Sequence, residues 1–272
     1  MPVVVLAIIL GLVQALTEFL PVSSSGHLIL ARTFLDFDVV DGLTFDVAVH
    51  IGTLMALVVY FHRDLVDLTR GFLASIARRS LDAHPMSRLA WYALAACVPT
   101  GLAGLLFEAQ IEAYFRHPSV IVVTLVAGAI LFLWVERAFR SVGEMRSLSL
   151  RHAVAIGLAQ VLSLVPGVSR SGITIAVGMM AGLRRDEAAR FSFLMVTPLL
   201  LGIGLKKSFD LTSQPISPDE RTALIVGIVT SGLAGWLVIR FLISYLRNNS
   251  LKGFAYYRIA LAAVVFVWML RG

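Results

Sequence analysis

The sequence predicts an all-α polytopic membrane protein: six transmembrane helices plus two re-entrant broken-helix hairpins, arranged as an inverted-topology repeat. Three observations predict it. Of 272 residues, 58% are hydrophobic and 15% charged, with a mean hydropathy of +0.86, whereas a soluble domain carries roughly 25% charged residues. Apolar runs of bilayer-crossing length recur along the chain, and two further runs, each broken at its middle, resemble one another in sequence. The composition excludes a disordered chain. A net charge of +6 and a pI near 9.9 would suggest a nucleic-acid partner in a soluble protein. Here the basic residues fall in short gaps between apolar runs, so the partner is the membrane and no nucleic acid is expected. Cys97 is the single cysteine, which leaves neither a disulfide framework nor a cysteine metal site.

Taken in order, residues 3–30 form the first long apolar region, interrupted by Pro21 and a serine run. It lacks a basic leader and contains Gln14 and Glu18, so it reads as mature protein rather than a signal peptide. Spans follow at 47–61, 89–107 and 119–135. The second interrupted region is 152–182, broken at Pro166 and Gly167, and spans follow at 191–205, 223–243 and 254–270. Irregular backbone at membrane depth is tolerated only where protein or a wet cavity satisfies its N–H and C=O groups, so both breaks should face a pocket.

Lys and Arg counts orient the chain. Segments 62–88, 137–151, 183–190 and 244–253 carry 14 together, whereas 1–46, 108–118, 206–222 and 271–272 carry 6. The first set is therefore expected in the cytoplasm. The first hairpin then enters from outside and the second from the cytoplasm. Shifting the chain by 146 residues lays Gly11, Leu12, Gln14, Leu16, Val22, Ser23, Ser25 and Gly26 on identical residues, namely Gly157, Leu158, Gln160, Leu162, Val168, Ser169, Ser171 and Gly172. One integral-membrane domain made of two inverted repeats, about 1–136 and 147–272, is the expected organisation, with its site at the broken helices.

The chemistry-bearing residues lie at the breaks. In Gln14-Ala-Leu-Thr-Glu18-Phe-Leu-Pro21-Val-Ser23-Ser24-Ser25-Gly26-His27, four-residue spacing puts Gln14 and Glu18 on one helix face. Pro21 ends that helix, and the serines can cap the next one. Ser24 and His27 then lie within one turn of a helix N-terminus, which suits phosphate. An ionisable Glu inside a membrane segment reads as functional by default; the alternative is an N-cap cluster with a paired or snorkelling Glu. The second break, Pro166-Gly-Val-Ser169-Arg170-Ser171-Gly172-Ile-Thr174, carries the only basic residue outside both loop sets and away from every span end. A guanidinium there needs an anion, and its planar fork matches phosphate oxygens. A structural ion pair between Arg170 and Glu18 is the rival reading. Ser169, Ser171 and Thr174 add hydroxyl donors, and Gly172 permits close approach of backbone. A carboxylate, a hydroxyl, an imidazole and an arginine in one pocket form a set suited to phosphoryl transfer, and a substrate reaching it from the bilayer would carry a lipid tail.

These two motifs resemble the signature stretches of the bacterial undecaprenyl-diphosphate phosphatases, the UppP or BacA family, and the resemblance extends over the chain in length and span pattern. It implies hydrolysis of undecaprenyl diphosphate to the monophosphate, recycling of the carrier lipid for peptidoglycan, and bacitracin resistance. It also implies a bacterial inner-membrane location; the pocket should open outward, to the periplasmic face, because the first hairpin, which carries Glu18, Ser24 and His27, enters from that side. The resemblance makes Ser24 the nucleophile, Glu18 and His27 acid-base or metal-supporting groups, and Arg170 the phosphate clamp. Gln14, Ser23, Ser25, Gly26, Ser169, Ser171, Gly172 and Thr174 would complete the substrate site. The family pattern allows Glu where this chain has Gln14, so one metal-binding carboxylate is absent here. The implied divalent cation, Mg or Ca, is expected chiefly on the diphosphate, with Glu18 its one weak protein ligand.

The residues alone leave a phosphohistidine at His27, or water activated by Glu18, as alternatives to Ser24. A polyprenyl-phosphate transporter using the same inverted repeat is the alternative function, and a homodimer stays open. Asp46 and His50 read as an interfacial helix start with a hydrogen-bonded histidine, or with Thr53 as a pocket mouth. His62, His84, His117 and His152 read as solvated, and Asp36, Asp38 and Asp41 as an outer connector. Arg184, Arg185, Asp186 and Glu187 read as a headgroup anchor.

Overall fold

α1 (Val3–Phe19) is apolar throughout and stops just before Pro21, which has no N–H to extend a helix. α2 (Ser24–Leu35) restarts the chain after a four-residue gap. The structure, a computed structural model, describes residues 3–35, 42–115, 117–139, 141–212 and 217–270. The acids Asp36, Asp38 and Asp41 lie outside the described residues. The remaining helices are α3 (Gly42–Tyr60), α4 (His62–Ala77), α5 (Ser87–Phe115), α6 (Pro118–Ala138), α7 (Leu150–Val161), α8 (Arg170–Met180), α9 (Arg185–Thr212), α10 (Pro218–Asn248) and α11 (Lys252–Met269). Among the described residues the chain is all-helical; its only β feature there is an isolated bridge between Gly143 and Leu183.

Helix starts follow their local chemistry. Ser217 and Glu220 form a capping box ahead of Pro218, and Ser149 caps α7 through the His152 N–H. α6, α10, α11 and the first 21 residues of α5 are long and apolar enough to cross a membrane, and α3 with α4 counts as one more if the bent pair is a single span. The chain is thus a multi-pass membrane protein. The α3–α4 bend is 77°. The sequence reading ended that span at 61 and took 62–88 as a connector, whereas α4 fills much of it with a helix. Val66, Leu73 and Ile76 are exposed along α4, and its acids Asp64 and Asp67 precede Arg70. That pattern suits a helix lying in the interface plane.

α10 packs against α1 and α3, and α5 packs against α7 and α9; α1 pairs with α2 as α7 pairs with α8, and α6 packs on α11. Under the 146-residue shift several of these pairings correspond, α1 with α2 to α7 with α8, and α1 and α3 on α10 to α7 and α9 on α5. Phe19, Phe61, Phe132, Phe191 and Phe193 anchor the core, with Phe19 edge-on to Phe193 at 5.5 Å.

All four segments rich in Lys and Arg meet at one end of the bundle. Arg190 bonds Asp64 at 2.9 Å, and Arg185 grips Glu136 through two N–H groups at 2.8 and 2.5 Å. Glu136 also accepts the Leu251 N–H, and Glu187 accepts the Met145 N–H. Arg247 lies 3.9 Å from Asp186. Where the sequence suggested a headgroup anchor, Asp186 and Glu187 are instead buried, 5% and 7% exposed, inside this ion-paired layer.

Candidate active site

Both breaks use one turn. Ser23 and Ser169, 146 residues apart, each adopt positive φ, 79° and 72°. A non-glycine residue there is uncommon and persists only where the surrounding structure over-determines it. Each serine hydroxyl accepts a backbone N–H three residues on: Gly26 to Ser23 at 3.4 Å, and Gly172 to Ser169 at 3.2 Å. Each serine carbonyl accepts the next N–H, from His27 at 3.3 Å and Ile173 at 3.0 Å. The first residue of each following helix is the one that carries chemistry: Ser24 in one, Arg170 in the other.

These two side chains meet on Glu18, which is 7% exposed. Arg170 Nη2 donates to Glu18 Oε1. Ser24 Oγ donates to Oε2 at 2.7 Å, and Gln14 Nε2 donates to the same oxygen at 3.1 Å. The helical spacing of Gln14 and Glu18 thus does what it predicts. Arg170 keeps Nε and Nη1 for another anion, so the ion pair and a phosphate clamp are compatible. His50 approaches from α3, its Nε2 3.6 Å from Glu18 Oε2, while its Nδ1–H donates to the Asp46 carbonyl at 2.7 Å. The sequence reading favoured a plain interfacial histidine; its hydrogen bond is there, and the ring also borders the carboxylate.

His27 points elsewhere. Its Nδ1–H donates to the Ser23 carbonyl at 2.6 Å, so Nε2 is an acceptor and takes the Tyr257 O–H at 2.7 Å. The two rings also stack, 5.7 Å apart at 8°. With both ring nitrogens bonded, His27 borders a cleft of about 220 Å³ whose walls are apolar, including Val13, Ala31, Leu261 and Val264. The second-break hydroxyls are spent on the fold. Ser171 Oγ donates to the Leu20 carbonyl, Ser169 Oγ contacts Ser171 Oγ at 3.3 Å, and Thr174 donates to the Arg170 carbonyl at 2.8 Å and meets Ser192 at 2.5 Å. They shape the turn rather than present free donors. Ser25 is exposed, 3.4 Å from the Ser23 hydroxyl.

Two residues of α11 escaped the sequence reading. Tyr257 orients His27, and Arg258 is fully buried behind both breaks. Arg258 lies four residues inside a span, so the criterion that singled out Arg170 would have found it had span ends been drawn less generously. Gly167 adopts φ 91°, and a Cβ there would lie 2.0 Å from Thr124 Oγ1, whose hydroxyl bonds the Pro166 carbonyl at 2.9 Å. Only glycine fits that approach of α6 to the second break.

A protein-held divalent cation does not fit this donor set. Hard cations take six or more oxygens, and among the described residues no group of three His, Cys, Asp or Glu side chains gathers. Glu18 has both oxygens engaged, and the one buried acceptor left without a partner beside it is Gln14 Oε1.

Comparison with known proteins adds a second line. The family model described as bacitracin resistance protein BacA matches residues 7–264. An undecaprenyl-diphosphatase of Rubrobacter xylanophilus is 47% identical over 265 residues, 97% of each chain. One of Moorella thermoacetica is 43% identical, covering 97% of this chain and 98% of that one, and undecaprenyl-diphosphatase 2 of Stutzerimonas stutzeri is 42% identical over 96% of each.

Proposed function

The chain belongs to the BacA family of bacitracin resistance proteins, and from that membership we infer that it is an undecaprenyl-diphosphatase, releasing inorganic phosphate from the diphosphate and leaving undecaprenyl phosphate. The observation that carries the site assignment is the bond from Ser24 to Glu18, with Arg170 on the other carboxylate oxygen. A hydroxyl held by a carboxylate and flanked by a guanidinium is an activated nucleophile with its charge stabiliser in place.

In this reading Ser24 Oγ attacks the terminal phosphorus as its proton passes to Glu18. The bond between that phosphorus and the bridging oxygen breaks, and the electron pair leaves with undecaprenyl phosphate. Arg170 binds the transferred oxygens through Nε and Nη1. Water then displaces the serine, Glu18 returns the proton to Oγ, and the protons of the water leave with phosphate. The isoprenoid chain starts down the apolar cleft that His27 borders, with Tyr257 fixing the imidazole. A volume of about 220 Å³ is below that of sites enclosing a whole drug-sized ligand, roughly 300–1,000 Å³, so most of the tail stays in the bilayer. The divalent cation expected of the family belongs on the diphosphate rather than on the protein, and no step above needs it.

The same reading takes the two halves as inverted repeats with six spans and two re-entrant hairpins. The matched turns, the repeated helix contacts and the single basic end support it. With that end in the cytoplasm, the site opens toward the periplasmic face of the inner membrane.

The test is phosphate release from undecaprenyl diphosphate by purified protein in detergent, beside Ser24→Ala. A phosphatase working through Ser24 loses turnover in the variant while still binding the lipid. Wild-type protein that binds the lipid without releasing phosphate would instead be a carrier.

A further inference from the structure

Arg258 donates all five of its N–H groups to backbone carbonyls. Nε bonds Leu125 at 3.1 Å, Nη1 bonds Pro21 at 3.3 Å and Val168 at 3.1 Å, and Nη2 bonds Thr124 at 2.9 Å and Gly167 at 3.0 Å. A guanidinium has five such donors, so none remains. The side chain is 0% exposed, sits 5.3 Å from the Phe132 ring centre, and has no carboxylate partner among the described residues. A buried cation without a counter-ion is costly unless its hydrogen bonds are complete; here they are.

The choice of carbonyls carries the argument. Pro21 and Gly167 are equivalent positions of the two breaks, 146 residues apart, and each lies two residues before the positive-φ serine. Val168 immediately precedes Ser169. The other two carbonyls come from α6, whose Thr124 also holds the second break through Pro166. One guanidinium therefore ties the turn that presents Ser24 to the turn that presents Arg170, and ties both to α6. Room for it is made by Gly128 on α6, where a Cβ would lie 2.1 Å from Nη2.

We propose that Arg258 is a positioning residue for the hydrolysis: it sets the distance and angle between the Ser24 and Arg170 turns by bonding the matching carbonyls of both. It does not touch the reacting atoms. The proposal rests on the diphosphatase reading above. Lysine keeps the charge but has three donors and no fork, so it cannot hold all five carbonyls in this geometry.

The experiment compares Arg258→Lys and Gly128→Ala with wild type, using undecaprenyl diphosphate in detergent. The expected result is a fall in kcat of about 10–100-fold in each, because misplacement of about 1 Å costs about that much, with KM within about threefold and the folded fraction unchanged. In an Arg170→Lys background the Arg258→Lys effect should shrink, since both act on one alignment. A second readout needs no turnover. In a Cys97→Ala, Ser24→Cys background, Arg258→Lys should change the alkylation rate of the new thiol by at least threefold. Full kcat in both variants, strict additivity with Arg170→Lys, or an unchanged thiol rate would overturn the proposal. Failure of wild type to release phosphate would instead overturn the diphosphatase reading, with the thiol rate still deciding the bracing. Should Arg258→Lys not fold, Gly128→Ala carries the same comparison with the arginine retained.

Discussion

Replacing Arg170 by lysine keeps a positive charge at the second break and removes the fork. In the structure Arg170 Nη2 is committed to Glu18 Oε1, and the proposed mechanism gives Nε and Nη1 to the phosphate. One ammonium can hold the carboxylate or the phosphate, not both with the same geometry. The loss is one charge-assisted hydrogen bond, about 1.5–3 kcal/mol, or roughly 10–150-fold in kcat/KM. Alanine goes further. The pair is largely buried, at 17% and 6% side-chain exposure, and stripping one partner from a buried pair costs about 3–5 kcal/mol, which is roughly 150–5,000-fold. The assay is phosphate release across a substrate range wide enough to separate kcat from KM, with Ser24→Ala as the baseline. A lysine variant within about threefold of wild type would mean that a point charge suffices, and the forked division of labour at Glu18 would be refuted.

Three other outcomes follow from the site, the cleft and the basic end. Tyr257→Phe removes the O–H that His27 Nε2 accepts at 2.7 Å, and kcat/KM should fall by about 2–13-fold, the worth of one hydrogen bond of about 0.5–1.5 kcal/mol; no change would detach His27 from the reaction. Val264→Trp fills the apolar cleft, so KM for undecaprenyl diphosphate should rise while hydrolysis of a five-carbon isoprenyl diphosphate is unaffected; equal effects on both would place the tail elsewhere. Glu136→Ala orphans Arg185 and the Leu251 N–H at the basic end. Arg185 keeps a third of its exposure, so the loss should be near the low end for a buried pair, about 3 kcal/mol, lowering Tm by roughly 5–10 °C with little change in KM. A Tm shift under 2 °C would show that the layer contributes nothing to stability.

Much of the site was legible because its signals are local. A Glu one turn from a Gln, a proline that stops the helix, and an arginine stranded in an apolar run each declare themselves within a few residues. The 146-residue shift matched the two breaks, and the structure gives both matched serines the same unusual φ. What stayed hidden depends on partners far along the chain. His27 is steered by Tyr257, 230 residues away, and nothing near either residue foretells it. Arg258 bonds only backbone carbonyls, which every residue has, so its partners leave no trace in side-chain identity. The hydroxyls of Ser171 and Thr174 looked like phosphate donors from composition; their orientation toward Leu20 and Arg170 carbonyls is set by packing. α4 was missed as a helix because its charges match those of an ordinary connector.

The equivalence of Ser24 and Arg170 has a consequence for how such a site arises. Both are the first helical residue after the same left-handed serine, so two copies of one turn deliver two different side chains to one carboxylate. Symmetric turns with the same residue at that place would offer a ligand two identical grips and no preferred direction. A single unlike pair of letters turns that neutral cradle into one with an attacking side and a holding side. In the proposed hydrolysis the polarity of the reaction is then written at one position per turn, and the rest of the two matched turns is free to stay alike.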